Sequence, residues 1–280
     1  ASPRPRAEPG VRRLAVLGHP VAHSRSPAMQ SAALAELGLA GGWSYEAIDV
    51  APEDFEGRVR AMPGEGFVGA NVTVPHKLAA LALADEAASA AQAIGAANTL
   101  TFDGERIRAD NTDAAGILGA IGQSTKGLGV LVMGAGGSAR AAVWALLGDG
   151  AGVTIWNRTP QRATQLASEL GAVSATGPPN IEDFDVIVNA TTVGMAASRG
   201  LQAPVLKNLP IDADCLSARH LVVDLAYGDG DTALMQIAKA RGARAVDGLE
   251  VLVHQGAASL RIWTGEEPPI EAMRGATRVS

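Results

Sequence analysis

Residues 128–147, LGVLVMGAGGSARAAVWALL, constrain the fold of this chain more than any other stretch. An apolar run stops at a glycine cluster, and a helical pattern starts directly after it. Gly134, Gly136 and Ala139 fit the spacing G-x-G-x-x-[G/A]. The first glycine permits a tight turn, the second lets backbone approach a pyrophosphate, and the third small residue lets the helix pack close to the sheet. The helix N-terminus then offers free N–H groups and the positive end of its dipole to an anion. A strand–turn–helix of this kind belongs in a sheet of parallel strands.

The residues that follow keep that pattern. VTIWN reads as the next strand, and TPQRATQLASELG as a helix with a Thr159-Pro160 start and a Gly171 stop. DVIVNA and HLVVDLA are short apolar runs, as in strands buried on both faces. DTALMQIAKARG is a helix. The strand after the glycines distinguishes the dinucleotides: an NAD site ends that strand in Asp or Glu, to hold a ribose hydroxyl. Here it ends in Asn157-Arg158-Thr159, with no carboxylate. Arg158 can pair with a 2′-phosphate and Thr159 can donate a hydrogen bond to it, which points to NADP. The alternative is that Asn157 and Thr159 cap the next helix and Arg158 is a solvated surface residue.

The first hundred residues alternate strand and helix. RRLAVLG, WSYEAIDV and GFVGANVTV read as strands. SPAMQSAALAELGL is a helix with Ser26 at the N-cap, Pro27 at N1 and Gly38 at the C-cap. APEDFEGRVRAM, HKLAALAL and ASAAQAIGA are helical, and NTLTFDGERIRADN is a hairpin turning at Asp103-Gly104. A new helix starts near Asp113. With 280 residues the chain fits two domains. Its 47% apolar and 19% charged residues make it globular. The net charge of −6, with no basic run beyond the first residues, argues against nucleic acid as a partner. No apolar run reaches the roughly 18 residues of a membrane span, and the N-terminus ASPRPRAEPG has no secretory h-region. A single cysteine, Cys215, excludes an internal disulfide framework and fits the cytoplasm. The five histidines lack metal-ligand spacing, so no metal is expected.

Three polar clusters interrupt the first half. In HPVAHSRSP, Ser24 and Ser26 can donate to a small polyhydroxy or carboxylate ligand; alternatively Ser26 caps the helix and Ser24 lies on a loop. In NVTVPHK, Asn71 and Thr73 share one strand face. His76 and Lys77 fall in a helix's first turn, against the dipole, and a local rule broken in this way marks functional sites. The bland alternative for Lys77 is a solvated surface lysine. GAANTL and ADNTDAAG supply Asn98, Thr99, Asn111, Thr112 and Asp113, although Asp113 also fits an ordinary N-cap. A lysine and an aspartate together suit alcohol–ketone chemistry beside a nicotinamide. Taking hydride from a carbinol carbon requires taking the hydroxyl proton as well; the lysine can move that proton while the aspartate orients it.

The stretches GHPVAHSRSP, GANVTVPHK, IGAANTL, ADNTDAAG, GAGGSARA, WNRT, NATTVGM, VVDLAYGDGDT, DGLEVLVHQG and IWTG, in this order, resemble the shikimate dehydrogenase family from about residue 14 to 265. The resemblance implies an α/β fold of two domains. A substrate-binding domain (12–112 plus 249–280) would precede an NADP-binding Rossmann domain (113–248), with the C-terminal helices packing back on the first and 1–11 a flexible tail. The implied reaction is NADPH-dependent reduction of 3-dehydroshikimate to shikimate by a cytoplasmic monomer or homodimer. By the same resemblance Lys77 and Asp113 are the catalytic pair. Ser24 and Ser26 would bind the shikimate carboxylate with Tyr227 nearby, and Thr73, Asn98 and Gln255 would hold hydroxyls. Gly134, Ala135, Gly136, Gly137, Ala139, Asn157, Arg158 and Thr159 match NADP positions, and Gly248 lies near the nicotinamide. The sequence departs from the family pattern in MQSAAL, the helix after HSRSP, where a His-Asn pair is common, at Ala114, where Gly is usual, and in LAYGDGDT, which lacks a proline. Three other readings compete: a degradative quinate or an aminoshikimate enzyme, a silent NADP sensor, and a folate dehydrogenase. Arg158, the intact Lys77 and Asp113, and HSRSP with NTL and NTD count against them in turn.

Overall fold

Two six-stranded sheets carry the chain. The computed structural model describes residues 10–194, 209–228 and 230–278; most of the expected tail, and Met195 of NATTVGM, fall outside them. The first sheet holds β1 (Arg12–Gly18), β2 (Trp43–Asp49), β3 (Phe67–Val72), β4 (Glu86–Ala87), β5 (Thr99–Asp103) and β6 (Arg106–Asp110) in the order β2-β1-β3-β5-β6-β4. β1 runs parallel to β2 and β3, while β5 is antiparallel to both β3 and β6. The expected hairpin is there, with Gly104 at φ 60°. It makes this sheet mixed rather than wholly parallel, because a two-residue link can join only antiparallel strands.

The second sheet holds β7 (Gly129–Met133), β8 (Gly152–Trp156), β9 (Val173–Ser174), β10 (Val186–Asn189), β11 (Leu221–Asp224) and β12 (Arg244–Val246) in the order β12-β11-β10-β7-β8-β9. Every pairing is parallel. The chain starts in the middle at β7, winds outward to β9, then crosses back to β10. The order reverses between β7 and β10, the place where such sheets bind ligands. Val130, Val132, Val188 and Val223 face one core, and Leu131, Met133, Ile187 and Val222 face the other. Both faces are covered, which explains the unbroken apolar runs. The short strands β4, β9 and β12 have no sequence signature, because two or three residues carry no period.

The helices among the described residues are α1 (Ser26–Glu36), α2 (Phe55–Ala61), α3 (Lys77–Ala82), α4 (Ser89–Ile94), α5 (Asp113–Ile121), α6 (Gly137–Gly148), α7 (Pro160–Leu170), α8 (Ala233–Ala240), α9 (Gly248–Thr264) and α10 (Ile270–Thr277). α9 returns to the first sheet. Its Val253, Ala257 and Leu260 pack with Leu14, Val16, Met29 and Leu34. The Trp263 indole donates to the Leu100 carbonyl at 3.0 Å and covers Gly69, where a Cβ would lie 2.2 Å from the indole nitrogen. Val251 of the same helix joins the core of the second sheet together with Ile117 and Ile121 of α5. α9 and α5 thus tie the halves together and leave a cleft above the C-terminal ends of β1, β3, β7 and β10.

Candidate active site

Three helix N-termini meet in the cleft, those of α3, α5 and α6. Lys77 opens α3. His76 precedes it and is fixed in the core: its ring stacks on Phe55, centroids 4.3 Å apart, and its Nε2 donates to the Val50 carbonyl at 2.8 Å. Burial pushes the His76 imidazole below its ordinary pKa. With His76 turned inward, Lys77 faces the cleft. Its stem lies on Gly137, where a Cβ would come within 2.7 Å of Lys77 Cβ.

Asp113 opens α5, but it does not cap it. Asn111 Oδ1 accepts from the backbone N–H groups of Asp113 and Ala114, at 3.1 and 3.4 Å. The Asp113 carboxylate is therefore free for the cleft. Lys77 Nζ donates to Oδ2 at 2.6 Å, and Asn98 Nδ2 donates to Oδ1 at 2.9 Å. Each side chain of the pair is 10% exposed. Breaking a buried pair by removing one partner costs about 3–5 kcal/mol. That outweighs the roughly 0.3–1 kcal/mol lost by placing a cation at a helix N-terminus.

A buried hydrogen-bonded floor supports the pair. Asn98 also donates to Gln255 Oε1 at 3.0 Å and accepts from the Thr112 backbone N–H at 2.7 Å. Ser259, one helical turn past Gln255 on α9, contacts Asn71 Nδ2, Thr99 Oγ1 and Thr112 Oγ1 at 2.9, 2.8 and 3.1 Å. Tyr45 donates to Asn71 Oδ1 at 2.7 Å and is hydrogen-bonded to Ser26. Burial raises the Tyr45 phenol well above its ordinary pKa. Ser26 is buried in the first turn of α1, not at its N-cap, which is Arg25 and makes no side-chain cap. The expected capping role for Ser26 is thus corrected: its hydroxyl is used inward, on Tyr45. Tyr227, on the loop after β11, is hydrogen-bonded to the Ser24 side chain and the Arg25 backbone, and its burial raises its pKa. It reaches from the second sheet's loops to the first sheet's. Thr73 follows β3; its N–H donates to Leu17, and its hydroxyl has no partner among the described residues.

The positions expected to hold the cofactor form the opposite wall. Gly134 has φ 121°, and a Cβ there would meet the Ala190 carbonyl at 2.8 Å, so the turn requires glycine. Ala135 follows it, and a Cβ on Gly136 would meet nothing within 4 Å, which leaves open space over the N-terminus of α6. Ala139 is fully buried where α6 meets the sheet. The Gly134 N–H donates to the Trp156 carbonyl at 2.8 Å, which sets Asn157, Arg158 and Thr159 beside the loop. Thr159 sits at the N-cap of α7 without using its side chain there, and Asn157 donates to the Thr159 carbonyl at 2.9 Å. Among the described residues, Arg158 and Arg162 are the arginines whose guanidinium has no hydrogen-bond, ion-pair or aromatic partner. Gly248, the first residue of α9, faces the carbonyls of Leu225 and Ala226, which a Cβ would meet at 2.6 and 2.9 Å.

Asp224 anchors the loop that carries Tyr227. It accepts from Asn189 Nδ2, Thr232 Oγ1 and the Ala226 N–H, at 2.8, 2.5 and 3.1 Å. Burial outweighs these bonds and pushes the carboxyl up to about 6. The folded chain then holds a proton that the unfolded chain has already released between about pH 4 and 6, so stability falls as pH rises through that window. Asp224→Asn keeps an oxygen for Asn189 and Ala226, and Thr232 can turn its hydroxyl to accept. The variant should match the wild type in denaturant titrations near pH 4 and exceed it by on the order of 2 kcal/mol at neutral pH. The same difference at both pH values would show that Asp224 carries no such proton.

Ser138, Ser259 and Tyr45 contribute to this site although the sequence singles out none of them, and Asn71 and Thr112, which stand in the expected polar clusters without a ligand of their own, serve in its floor. One signal was available: Gln255 and Ser259 are polar at i, i+4 on the stripe of α9 that also carries Val251. Among the described residues, no helix is long and apolar enough to cross a membrane, and no group of three or more His, Cys, Asp or Glu side chains is arranged to hold a metal ion.

Comparison with known proteins gives three family matches. Residues 16–100 match the shikimate dehydrogenase substrate binding domain, 117–246 match shikimate / quinate 5-dehydrogenase, and 248–278 match the shikimate 5'-dehydrogenase C-terminal domain. The shikimate dehydrogenase (NADP(+)) of Methanopyrus kandleri is 42% identical over 277 residues, spanning 93% of each chain. That of Shouchella clausii is 37% identical, over 96% of this chain and 98% of its own. The crystal structure of shikimate 5-dehydrogenase from Thermus thermophilus in complex with NADP(H) and shikimate superimposes with a TM-score of 0.85 at 42% identity, covering 96% of this chain and 99% of that one.

Proposed function

The chain belongs to the shikimate dehydrogenase family, and from that premise we propose that Lys77 and Asp113 carry its reaction. That reaction is the NADP-dependent, reversible reduction of 3-dehydroshikimate to shikimate, in chorismate and aromatic amino-acid biosynthesis. The observation that supports the site assignment best is the buried Lys77–Asp113 pair at 2.6 Å, facing the glycine loop. NADPH bound against that loop supplies the hydride. As the carbonyl is reduced, Lys77 gives a proton to its oxygen, and in the reverse direction takes it back. Asp113 holds the ammonium in place and accepts from a substrate hydroxyl. Asn98, Gln255 and Thr73 hold further hydroxyls. Ser24 and Tyr227 bind the carboxylate at the N-terminus of α1, and Ser26 joins them by turning its hydroxyl away from Tyr45.

The residues present fit NADP. Gly134, Ala135, Gly136, Gly137 and Ala139 leave the approach to the α6 N-terminus open, and Gly248 keeps the far side narrow. Asn157, Thr159 and the two unpartnered arginines, 158 and 162, would hold the 2′-phosphate. We place the substrate-binding domain at 12–112 plus 249–280 and the NADP-binding domain at 113–248. The division is supported by the two sheets and by the shared core of α9 and β1. One chain supplies both walls of the cleft, which is consistent with a monomer or homodimer. The single cysteine and the NADPH-dependent chemistry support a cytoplasmic setting, and the net charge of −6 argues against nucleic acid.

Initial rates at 340 nm test this reading, with shikimate or quinate and NADP or NAD, for the wild type and Arg158→Ala. Shikimate with NADP should be fast in the wild type. The variant should raise the KM for NADP about tenfold, as loss of about 1.4 kcal/mol would, with NAD unaffected. Comparable rates with quinate would widen the substrate assignment. An unchanged KM for NADP in the variant would move the 2′-phosphate away from Arg158.

A further inference from the structure

The Lys77 ammonium has a second contact that the proposed chemistry leaves unexplained. Nζ donates to Ser138 Oγ at 3.0 Å. Ser138 lies on the glycine loop of the second sheet, as the second residue of α6. The contact is built rather than incidental, because Gly137 is the neighbour that lets the lysine stem come so close. The lysine nitrogen is thus held from both walls, by Asp113 on one and Ser138 on the other. An ammonium has three N–H donors; with two engaged, one remains for a substrate oxygen.

The chemistry of the two partners differs. A carboxylate only accepts, whereas a hydroxyl accepts from an ammonium and donates to a neutral amine. When an N–H bond of Lys77 breaks and its proton passes to the substrate oxygen, a lone pair is left on nitrogen. Ser138 can rotate its O–H towards that lone pair without breaking any covalent bond of its own. The amine later regains its proton from solvent. We propose that Ser138 is a positioning residue for Lys77. Its hydroxyl holds the lysine nitrogen in both protonation states and ties the site of proton transfer to the loop that cradles the cofactor. This rests on Lys77 being the proton carrier.

The test compares wild type, Ser138→Ala and Ser138→Thr. Ser138→Ala should lower kcat for shikimate about tenfold, with KM for NADP within about twofold, and Ser138→Thr should restore most of the rate. In the cofactor-free protein, labelling by trinitrobenzenesulfonate followed by peptide mass spectrometry should modify Lys77 several-fold faster in Ser138→Ala, with Lys126 and Lys239 as unchanged internal references. A tenfold rise in the KM for NADP at unchanged kcat would overturn the proposal, since the hydroxyl would then serve a phosphate. So would an unaltered kcat, an unaltered labelling rate, or a threonine variant as slow as alanine. A wild type inactive with shikimate and NADP would sink the assigned reaction and this proposal with it. An active wild type with an equally active Ser138→Ala sinks this proposal alone.

Discussion

Lys77→Met should lower turnover of shikimate about 10³-fold, within the range general acid–base catalysis supplies, while NADP binding stays within about twofold. Methionine keeps the unbranched stem that lies on Gly137, so the glycine loop is not disturbed. What it removes is the transferable proton and the charge. The Asp113 carboxylate then remains buried without its counter-ion, and stability should fall by about 3–5 kcal/mol. Denaturant titration separates that loss from the kinetic one, provided rates are taken where the variant is fully folded. NADP binding, followed by fluorescence of the four tryptophans, reports on the cofactor wall independently of the chemistry. A folded Lys77→Met protein that binds NADP and turns over at close to the wild-type rate would remove Lys77 from the reaction. It would leave the pair as a structural clamp between α3 and α5.

The strand–turn–helix that we propose for the cofactor is legible in the sequence because each of its requirements is local. The turn at Gly134, the start of α6 and the strand end at 157–159 lie within some two dozen consecutive residues. Glycine spacing and the absence of a carboxylate therefore carry the information. The hairpin at Asp103-Gly104 and the start of α5 at Asp113 are local in the same sense. The floor of the site is not. Ser259 meets Asn71, Thr99 and Thr112 because β5 is inserted beside β3 and α9 returns across them. No window of sequence contains that meeting. Ser26 and Asp113 show the complementary failure. Both have the residue type of an N-cap at a helix start, and in both the side chain is used elsewhere. Local propensity named a role there that tertiary contacts overrode. His76 and Lys77 broke the same dipole rule, yet the structure separates them, one stacked on Phe55 and the other in the cleft. That separation turns on which way one helical turn faces, and a single sequence does not carry it.

Asp113→Asn should have the second largest effect, about 10²-fold or more on kcat/KM for shikimate. The substitution preserves shape, so its cost can be read from hydrogen bonding. Both carboxylate oxygens are used, Oδ2 by Lys77 and Oδ1 by Asn98. An amide has one acceptor oxygen and one NH₂, which must face one of these donors. Asn98 cannot turn its own amide to relieve the clash, because its Oδ1 accepts from the Thr112 backbone N–H at 2.7 Å and its Nδ2 is also bonded to Gln255. If the new oxygen faces Asn98, the NH₂ meets the ammonium and Lys77 loses its anchor. If it faces Lys77, two NH₂ groups oppose each other inside the floor. Either arrangement leaves a buried donor unsatisfied, at about 1–3 kcal/mol, and also removes the counter-charge. The melting temperature should fall by about 5 °C or more, while the KM for NADP, whose positions lie on the other wall, should stay within about twofold. A variant that melts early but retains turnover within about threefold would make Asp113 a structural counter-ion. The role of receiving a substrate hydroxyl would then pass to Gln255 or to the unpartnered hydroxyl of Thr73.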